Sequence, residues 1–367
     1  MQSHHTKHFI IHNYQNESVD NLIKHAQIQQ AATFLRAGET VAFPTETVYG
    51  LGANALSDIA TGKIFEAKGR PSDNPLIVHI AEQNQLVDIV DNIPPLAIKL
   101  MEHFWPGPLT LVLPKGKKVC KSVSAGLDTV AVRIPQHPIA LALLKACQLP
   151  IAAPSANRSG RPSPTTAEHV LEDLSGKIAG VVDGGAAGVG LESTVVDVTG
   201  KVPMILRPGG VTMDQLRHVV GEVLVDPAIT DSDQKHGDEA FIPKSPGVKY
   251  QHYAPKGQMW LVSEDFGLEK MRERLQALVK RDREAGYRVA VLTTDEGVDQ
   301  YTADHVVSLG QRNNLDSVAS KIYASLRTCD QMGIERIYAE AFPKSGVGMA
   351  IMNRLLKAAD GKMLGTE

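Results

Sequence analysis

The sequence predicts two α/β units in succession, a larger one built on a mixed sheet and a smaller one of βαβ type. Three observations carry that prediction. Short apolar, strand-like runs recur between residues 40 and 210, joined by Gly- and Pro-rich connections. The chain then turns polar and aperiodic over residues 226–240. Beyond residue 257, longer helical stripes alternate with strands.

The elements follow in order. Residues 1–20 carry His4, His5, His8 and His12 but no apolar run, and read as a mobile polar segment rather than a signal peptide or a metal site. Leu22, Ile23, Ala26, Ala31 and Leu35 form a helical stripe over 20–37, which Gly38 stops. The runs TVAFPT, PLIVHI, LTLVLP, TVAVRIP, PIAAPS, AGVVDGG, STVVDV and MILRPGG then read as strands, up to about residue 225. Helices between them are fewer than strict alternation would supply, so the expected sheet is twisted and mixed, with flanking helices. Thr212 and Gln215 make a capping box for the helix that follows. The expected division is a unit over 21–225, a linker over 226–257 and a second unit over 258–367. In that second unit MWLVS, RVAVLTT, ADHVVSL and RIYAEAF read as strands. Leu268, Met271, Leu275, Leu278 and Val279 mark one helix, Leu315, Val318, Ile322 and Leu326 another, and a last helix runs through Arg354. No GxGxxG opens any of them, so a Rossmann-like look does not establish dinucleotide binding.

Composition narrows the function classes. The 367 residues suffice for two domains, and 43% hydrophobic with 22% charged residues is an ordinary globular mixture. Aromatics at 5% argue against a base-stacking single-strand binder. Charge is balanced on both sides of residue 257, with 23 basic and 25 acidic residues before the break and 15 and 16 after it. Polynucleotide contact would therefore be local. Cys120, Cys147 and Cys329 have neither disulfide nor zinc spacing and fit a reducing, cytoplasmic compartment; no run is long enough to span a membrane.

No P-loop, HExxH, GxSxG or CxxC is present. Instead, polar side chains recur where strands and helices run into Pro/Gly turns. Thr45 and Thr47 in FPTETVYGLG either hold ligand oxygens or cap a turn. Lys68, Arg70, Asn74 and His79 lie in KIFEAKGRPSDNPLIVHI; the two cations either complement a helix C-terminus or present a point charge and a planar fork to a polyphosphate. His79 sits within an apolar strand, where a core histidine is the plain alternative. In GLDTVAVRIP, Val130, Val132 and Ile134 face one way and Thr129, Ala131 and Arg133 the other, so Arg133 meets water or a polar cavity. Ser155 and Asn157 end a strand among small residues, Ala153 included. Ser193 and Thr194 follow a glycine-rich loop, and Arg207 precedes PGG. Together these supply cations, hydroxyls and amides, few acid–base carboxylates and no evident nucleophile. Such a set binds anions and catalyses by positioning and charge neutralisation, as nucleotidyl transfer requires.

PTETVYGLG, KGRPSDNPL, Ser155–Ala156–Asn157, STVVD, LRPGG and SPGVKYQHYAP stand in this order over nearly the whole chain. In this the sequence resembles the threonylcarbamoyl-adenylate synthase family in its long, two-domain form. The resemblance implies a YrdC-type α/β domain with a large, basic concave surface, followed by a smaller Rossmann-like domain. It implies that L-threonine, bicarbonate and ATP give L-threonylcarbamoyl-adenylate, pyrophosphate and water, with Mg2+ accompanying ATP and no organic cofactor. The product would pass to a separate threonylcarbamoyl transferase acting on ANN-decoding tRNA. By resemblance, Lys68 and Arg70 are catalytic. Lys68, Arg70, Asn74, Thr129, Ser155, Asn157, Ser163 and Arg207 meet ATP, joined by Tyr250, His252 and Tyr253 of the linker, which would act as a lid. Thr45, Thr47, His79, Arg133, Ala153, Ser193 and Thr194 line the threonine pocket. The competing reading is a non-catalytic module that binds double-stranded RNA or tRNA.

Overall fold

The computed structural model describes residues 5–230, 243–246 and 252–365. Two units emerge. The first comprises Met1–Ser159, Ser163–Gly188 and Glu192–Lys249; the second comprises Gly160–Pro162, Val189–Leu191 and Tyr250–Glu367.

Among the described residues, eleven strands build the first unit's sheet: β1 (Lys7–Ile10), β2 (Val41–Phe43), β3 (Gly50–Asn54), β4 (Ile77–His79), β5 (Leu109–Pro114), β6 (Thr129–Arg133), β7 (Ile151–Ala152), β8 (Gly180–Asp183), β9 (Thr194–Asp197), β10 (Met204–Arg207) and β11 (Leu224–Val225). Their spatial order is β1-β8-β2-β3-β7-β4-β6-β5-β9-β10-β11. Parallel pairs (β4 with β6, β5 with β9) alternate with antiparallel ones (β5 with β6, β4 with β7), which is the mixed sheet expected. Period-two alternation sorts the side chains. Val130 and Val132 enter the main core with Val78, Leu111 and Val196. Their neighbours Ala131, Ile77, Val112, Val195 and Leu206 form a small apolar floor on the opposite face. Arg133 lies on that second face, in register with His79.

Two expectations need correction at the N-terminus. Residues 7–10 are not a mobile tail, because they pair in parallel with β8 and bury Phe9. The helix expected over 20–37 is two helices, Val19–Ile23 and Ala26–Arg36. Each has its own cap: Ser18 Oγ accepts from Asn21 N at 3.2 Å, and His25 Nδ1 accepts from Gln27 N at 3.3 Å. A side chain that satisfies a free backbone N–H starts a new helix and so breaks the stripe.

The second unit carries a five-stranded sheet of β12 (Gln258–Val262), β13 (Val289–Thr293), β14 (His305–Ser308), β15 (Arg336–Glu340) and β16 (Met363–Leu364), in the order β14-β13-β15-β12-β16. Every pairing is parallel. Helices Leu268–Glu284, Leu315–Gln331 and Gly348–Ala358 supply the crossovers, burying Met271, Leu275, Val318, Ile322 and Leu355. Glu340, fully buried at the end of β15, is compensated by Thr293 (2.7 Å), Tyr301 (2.8 Å), Arg272 (2.9 Å) and Arg312 (3.1 Å). Among the described residues, no helix is long and apolar enough to cross a membrane.

Candidate active site

Lys68 ends the helix Asp58–Lys68, which Ser57 caps at its start and Gly69, at φ 61°, terminates in the left-handed region. Its buried ammonium reaches a neighbouring loop. It donates to the carbonyl oxygens of Ser155 (2.5 Å) and Asn157 (2.6 Å). Ser155 Oγ donates in turn to Asn157 Oδ1 at 2.5 Å. Main-chain bonds hold this loop against the motif around Tyr49: Leu51 N donates to Pro154 O, Ala156 N to Tyr49 O, and Ser159 N to Lys68 O. The loop also continues the strand edge, with Gly50 bridging Ser155.

Arg70 turns back on its own loop, donating to Asn74 O (3.3 Å) and Pro75 O (3.0 Å). Asn74 is buried, and its Oδ1 has no hydrogen-bond partner among the described residues. Such a buried acceptor costs stability unless a ligand or water meets it.

A second group gathers on the β4–β6 face. Arg133 is buried and fully directed: Nε donates to Gly107 O (3.1 Å), Nη1 donates to Thr47 Oγ1 (2.9 Å), and Nη2 lies 2.5 Å from Glu46 Oε1. His79 stands beside it, its Nδ1 3.2 Å from Ile77 O, with its pKa pushed down to about 3 by burial and by the Arg133 charge. Ala153 is tied to the same strand, its N–H donating to Ile77 O. Thr45 does not present its hydroxyl as a ligand. That hydroxyl donates to Val48 O (2.6 Å), accepts from Thr47 N and shapes the turn that points Thr47 at Arg133.

The third group closes on Arg207. Its guanidinium donates to Ser193 O (2.9 Å) and Ser193 Oγ (3.2 Å), while Ser193 Oγ lies 2.7 Å from Thr110 Oγ1. Pro246 O lies 3.5 Å from Arg207 Nη1, and the adjoining Lys244 pairs with Asp197 at 2.8 Å. Burial pushes the Asp197 carboxyl up, but the bonds from Lys244 and Thr199 outweigh it and hold the group below its ordinary range. Gly209 makes this fold possible. A Cβ there would sit 2.3 Å from Glu192 O and 2.4 Å from Thr194 N. Thr194, expected in the threonine pocket, instead donates to Val211 O (2.6 Å) and accepts from Val211 N (3.0 Å), so its hydroxyl holds the turn.

Three other expected positions have these surroundings. Thr129 is half-buried at the far end of β6, four residues and roughly 13 Å from Arg133 at ordinary strand rise. Ser163 is buried and donates to Glu192 Oε1 at 2.6 Å. Tyr253 belongs to the second unit, where its ring lies 5.2 Å from Tyr323 and 5.6 Å from His252, with the Arg354 guanidinium 5.5 Å away. Tyr250 falls outside the described residues. Sequence reasoning missed Glu46, Glu192 and Thr110. Each sits in or beside a motif already singled out, yet only the tertiary partner gives it a role.

This assembly pairs a lysine-centred loop, suited to phosphate charge, with a buried guanidinium fork flanked by a neutral imidazole and hydroxyls. Comparison with known proteins agrees in scope. Residues 33–209 match the Sua5–YciO–YrdC family model, described as telomere recombination, and residues 211–360 match the model described as threonylcarbamoyl-AMP synthase, C-terminal domain. The threonylcarbamoyl-AMP synthase of Bacillus subtilis is 52% identical, with 92% of this chain and 94% of the relative covered. That of Schizosaccharomyces pombe is 38% identical, with 90% and 88% covered. Among solved structures, Sua5 of P. abyssi complexed with L-threonine superposes with a TM-score of 0.88 at 43% identity, covering 99% of each chain.

Proposed function

We propose the chemistry of this site from the premise that the chain belongs to the threonylcarbamoyl-AMP synthase family. It is a nucleotidyltransferase-type enzyme that forms L-threonylcarbamoyl-AMP, an intermediate of tRNA modification. L-threonine, bicarbonate and ATP are its substrates in this reading, pyrophosphate and water its other products. The observation that carries the assignment of roles is the buried Arg133 fork, held beside neutral His79 and Thr47.

Arg133 anchors the threonine carboxylate, and Thr47, His79 and Ser193 surround the rest of the amino acid. Once the substrate ammonium has released its proton, the amine takes up the carbon of bicarbonate, releasing water and leaving a carbamate. A carbamate oxygen then attacks the α-phosphorus of ATP, and the bond to the bridging oxygen of pyrophosphate breaks. The amine itself is the nucleophile, so no catalytic Ser or Cys enters, and alignment of the reactants supplies much of the rate. Lys68, Arg70 and Arg207 meet the phosphate charge, and Asn74, Ser155, Asn157 and Ser163 position the nucleotide.

Mg2+ accompanies ATP in this reading. The unpartnered Asn74 Oδ1 is a hard oxygen of the kind this ion takes. The described residues offer no group of three or more His, Cys, Asp or Glu, so phosphate oxygens and water would supply most of its ligands. Bound there, Mg2+ would neutralise phosphate charge. The downstream partner is a threonylcarbamoyl transferase acting on ANN-decoding tRNA, and the compartment is the cytoplasm.

The test is isotopic. Purified chain supplied with ATP, L-threonine and 13C-bicarbonate should yield an adenylate carrying the label in its carbamoyl carbon. ATP consumption without a labelled adenylate would contradict the reading.

A further inference from the structure

We propose that Glu46 receives the α-ammonium group of the amino-acid substrate, so that Glu46 and Arg133 together read a zwitterion. The proposal rests on the reading above in which Arg133 takes the substrate carboxylate.

Glu46 lies between the two threonines of the PTET turn, with its side chain only 13% exposed. Neither carboxylate oxygen has a hydrogen-bond donor among the described residues. A buried carboxylate without donors is expensive unless a cation compensates it. Here the compensation is Arg133 Nη2, 2.5 Å from Oε1, in a contact that lacks hydrogen-bond geometry and leaves Nη2 itself unsatisfied. Nε and Nη1 of Arg133 are already committed to Gly107 O and Thr47 Oγ1. Another basic group near Glu46 is His137, which is buried, with its Nδ1 without a hydrogen-bond partner among the described residues and its Nε2 3.2 Å from the Tyr14 hydroxyl. Burial pushes the His137 pKa down to about 4 against the pull of Glu46, so at neutral pH it adds no positive charge.

The site therefore sets two unsatisfied carboxylate oxygens beside one unsatisfied guanidinium nitrogen. An α-amino acid carries the inverse pattern, a carboxylate and an ammonium on one carbon. Facing each other, the two side chains neutralise each other's charge. A bound zwitterion replaces that single poor contact with two charge-assisted ones, its carboxylate on Arg133 and its ammonium on Glu46. A ligand with a carboxylate alone would satisfy Arg133 but set its charge against Glu46, and this makes Glu46 a specificity-determining residue.

The experiment compares L-threonine with 3-hydroxybutanoate, which keeps the carboxylate and hydroxyl but lacks the amine, by calorimetric titration of the full chain. The wild-type chain should bind L-threonine at least about tenfold more tightly. Glu46→Gln, confirmed folded by its melting curve, should lose about tenfold or more for L-threonine, while 3-hydroxybutanoate should bind it as tightly as the wild type or more tightly. An equal loss for both ligands would reduce Glu46 to a prop for Arg133 and overturn the proposal, as would no loss for either. Equal binding of the two ligands by the wild-type chain would overturn it without recourse to the variant. If Arg133→Ala binds L-threonine as the wild type does, the reading of Arg133 itself falls. Retained dependence on Arg133 with no effect at Glu46 sinks only the proposal made here.

Discussion

His79 stands opposite Arg133 across the parallel pairing of β4 and β6, and its imidazole is uncharged there. A neutral ring can donate from one nitrogen and accept at the other, which suits a substrate hydroxyl beside the fork proposed to hold the substrate carboxylate. The adjacency also makes stability depend on pH. Folded-state pKa values of about 3 for His79 and about 4 for His137 lie below the ordinary value of 6.5. As pH falls from about 6.5 toward 4, the unfolded chain binds protons at these positions that the folded chain refuses. The free energy of unfolding should then drop by up to about 1.4 kcal/mol per pH unit for each imidazole. Urea melts at pH 7, 6 and 5 should show this decline, and His79→Gln should make it shallower. Parallel declines in variant and wild type would count against a neutral His79.

Lys68→Ala removes the ammonium that organises the Ser155 and Asn157 carbonyls and, in the proposed chemistry, meets the phosphates. Product formation should fall about 100-fold or more, the scale seen when a preorganised electrostatic group is lost. The melting temperature should fall as well, since two carbonyl oxygens lose a donor. A folded variant that turns over at the wild-type rate would remove Lys68 from the mechanism.

Arg133→Lys keeps the charge but loses the planar fork that spans Gly107 O and Thr47 Oγ1. The KM for L-threonine should rise about tenfold or more while the KM for ATP holds. A parallel rise in both constants would indicate that Arg133 serves the whole site rather than the amino acid.

Ser193 and Thr194 are adjacent hydroxyl residues with different tasks. Thr194→Val strands the Val211 N–H and C=O, so it should destabilise the fold by about 1–3 kcal/mol and leave the KM for L-threonine of the folded enzyme unchanged. Ser193→Ala should raise that KM with a smaller effect on stability. Denaturation curves beside steady-state kinetics separate the two, and an inverted pattern would contradict the assignment.

Much of this site was legible because its side chains obey local rules. The alternation around Val130 and Val132 puts Arg133 on the opposite face, and β-pairing alone then sets it beside His79. The glycine after Lys68 and the glycines after Arg207 mark turns whose geometry needs them. Gly209 is explained only by the backbone of Glu192, Ser193 and Thr194 pressed against it. Other features depend on partners far along the chain. Glu46 reads as an ordinary charged turn residue until Arg133, 87 positions later, comes within contact. Thr45 and Thr194 look like ligand hydroxyls, but main-chain atoms claim them. β1 escaped notice because only Phe9 of its four residues is buried, leaving too little alternation to read.

The central claim is that the arrangement around Lys68 and Arg133 makes an adenylate from threonine, and pyrophosphate release tests it most directly. Purified chain with ATP, Mg2+ and bicarbonate should release pyrophosphate rapidly when L-threonine is added and far more slowly without it, and Arg133→Ala should abolish the threonine-dependent part. Release indifferent to threonine, or retention of double-stranded RNA with no release at all, would contradict the account.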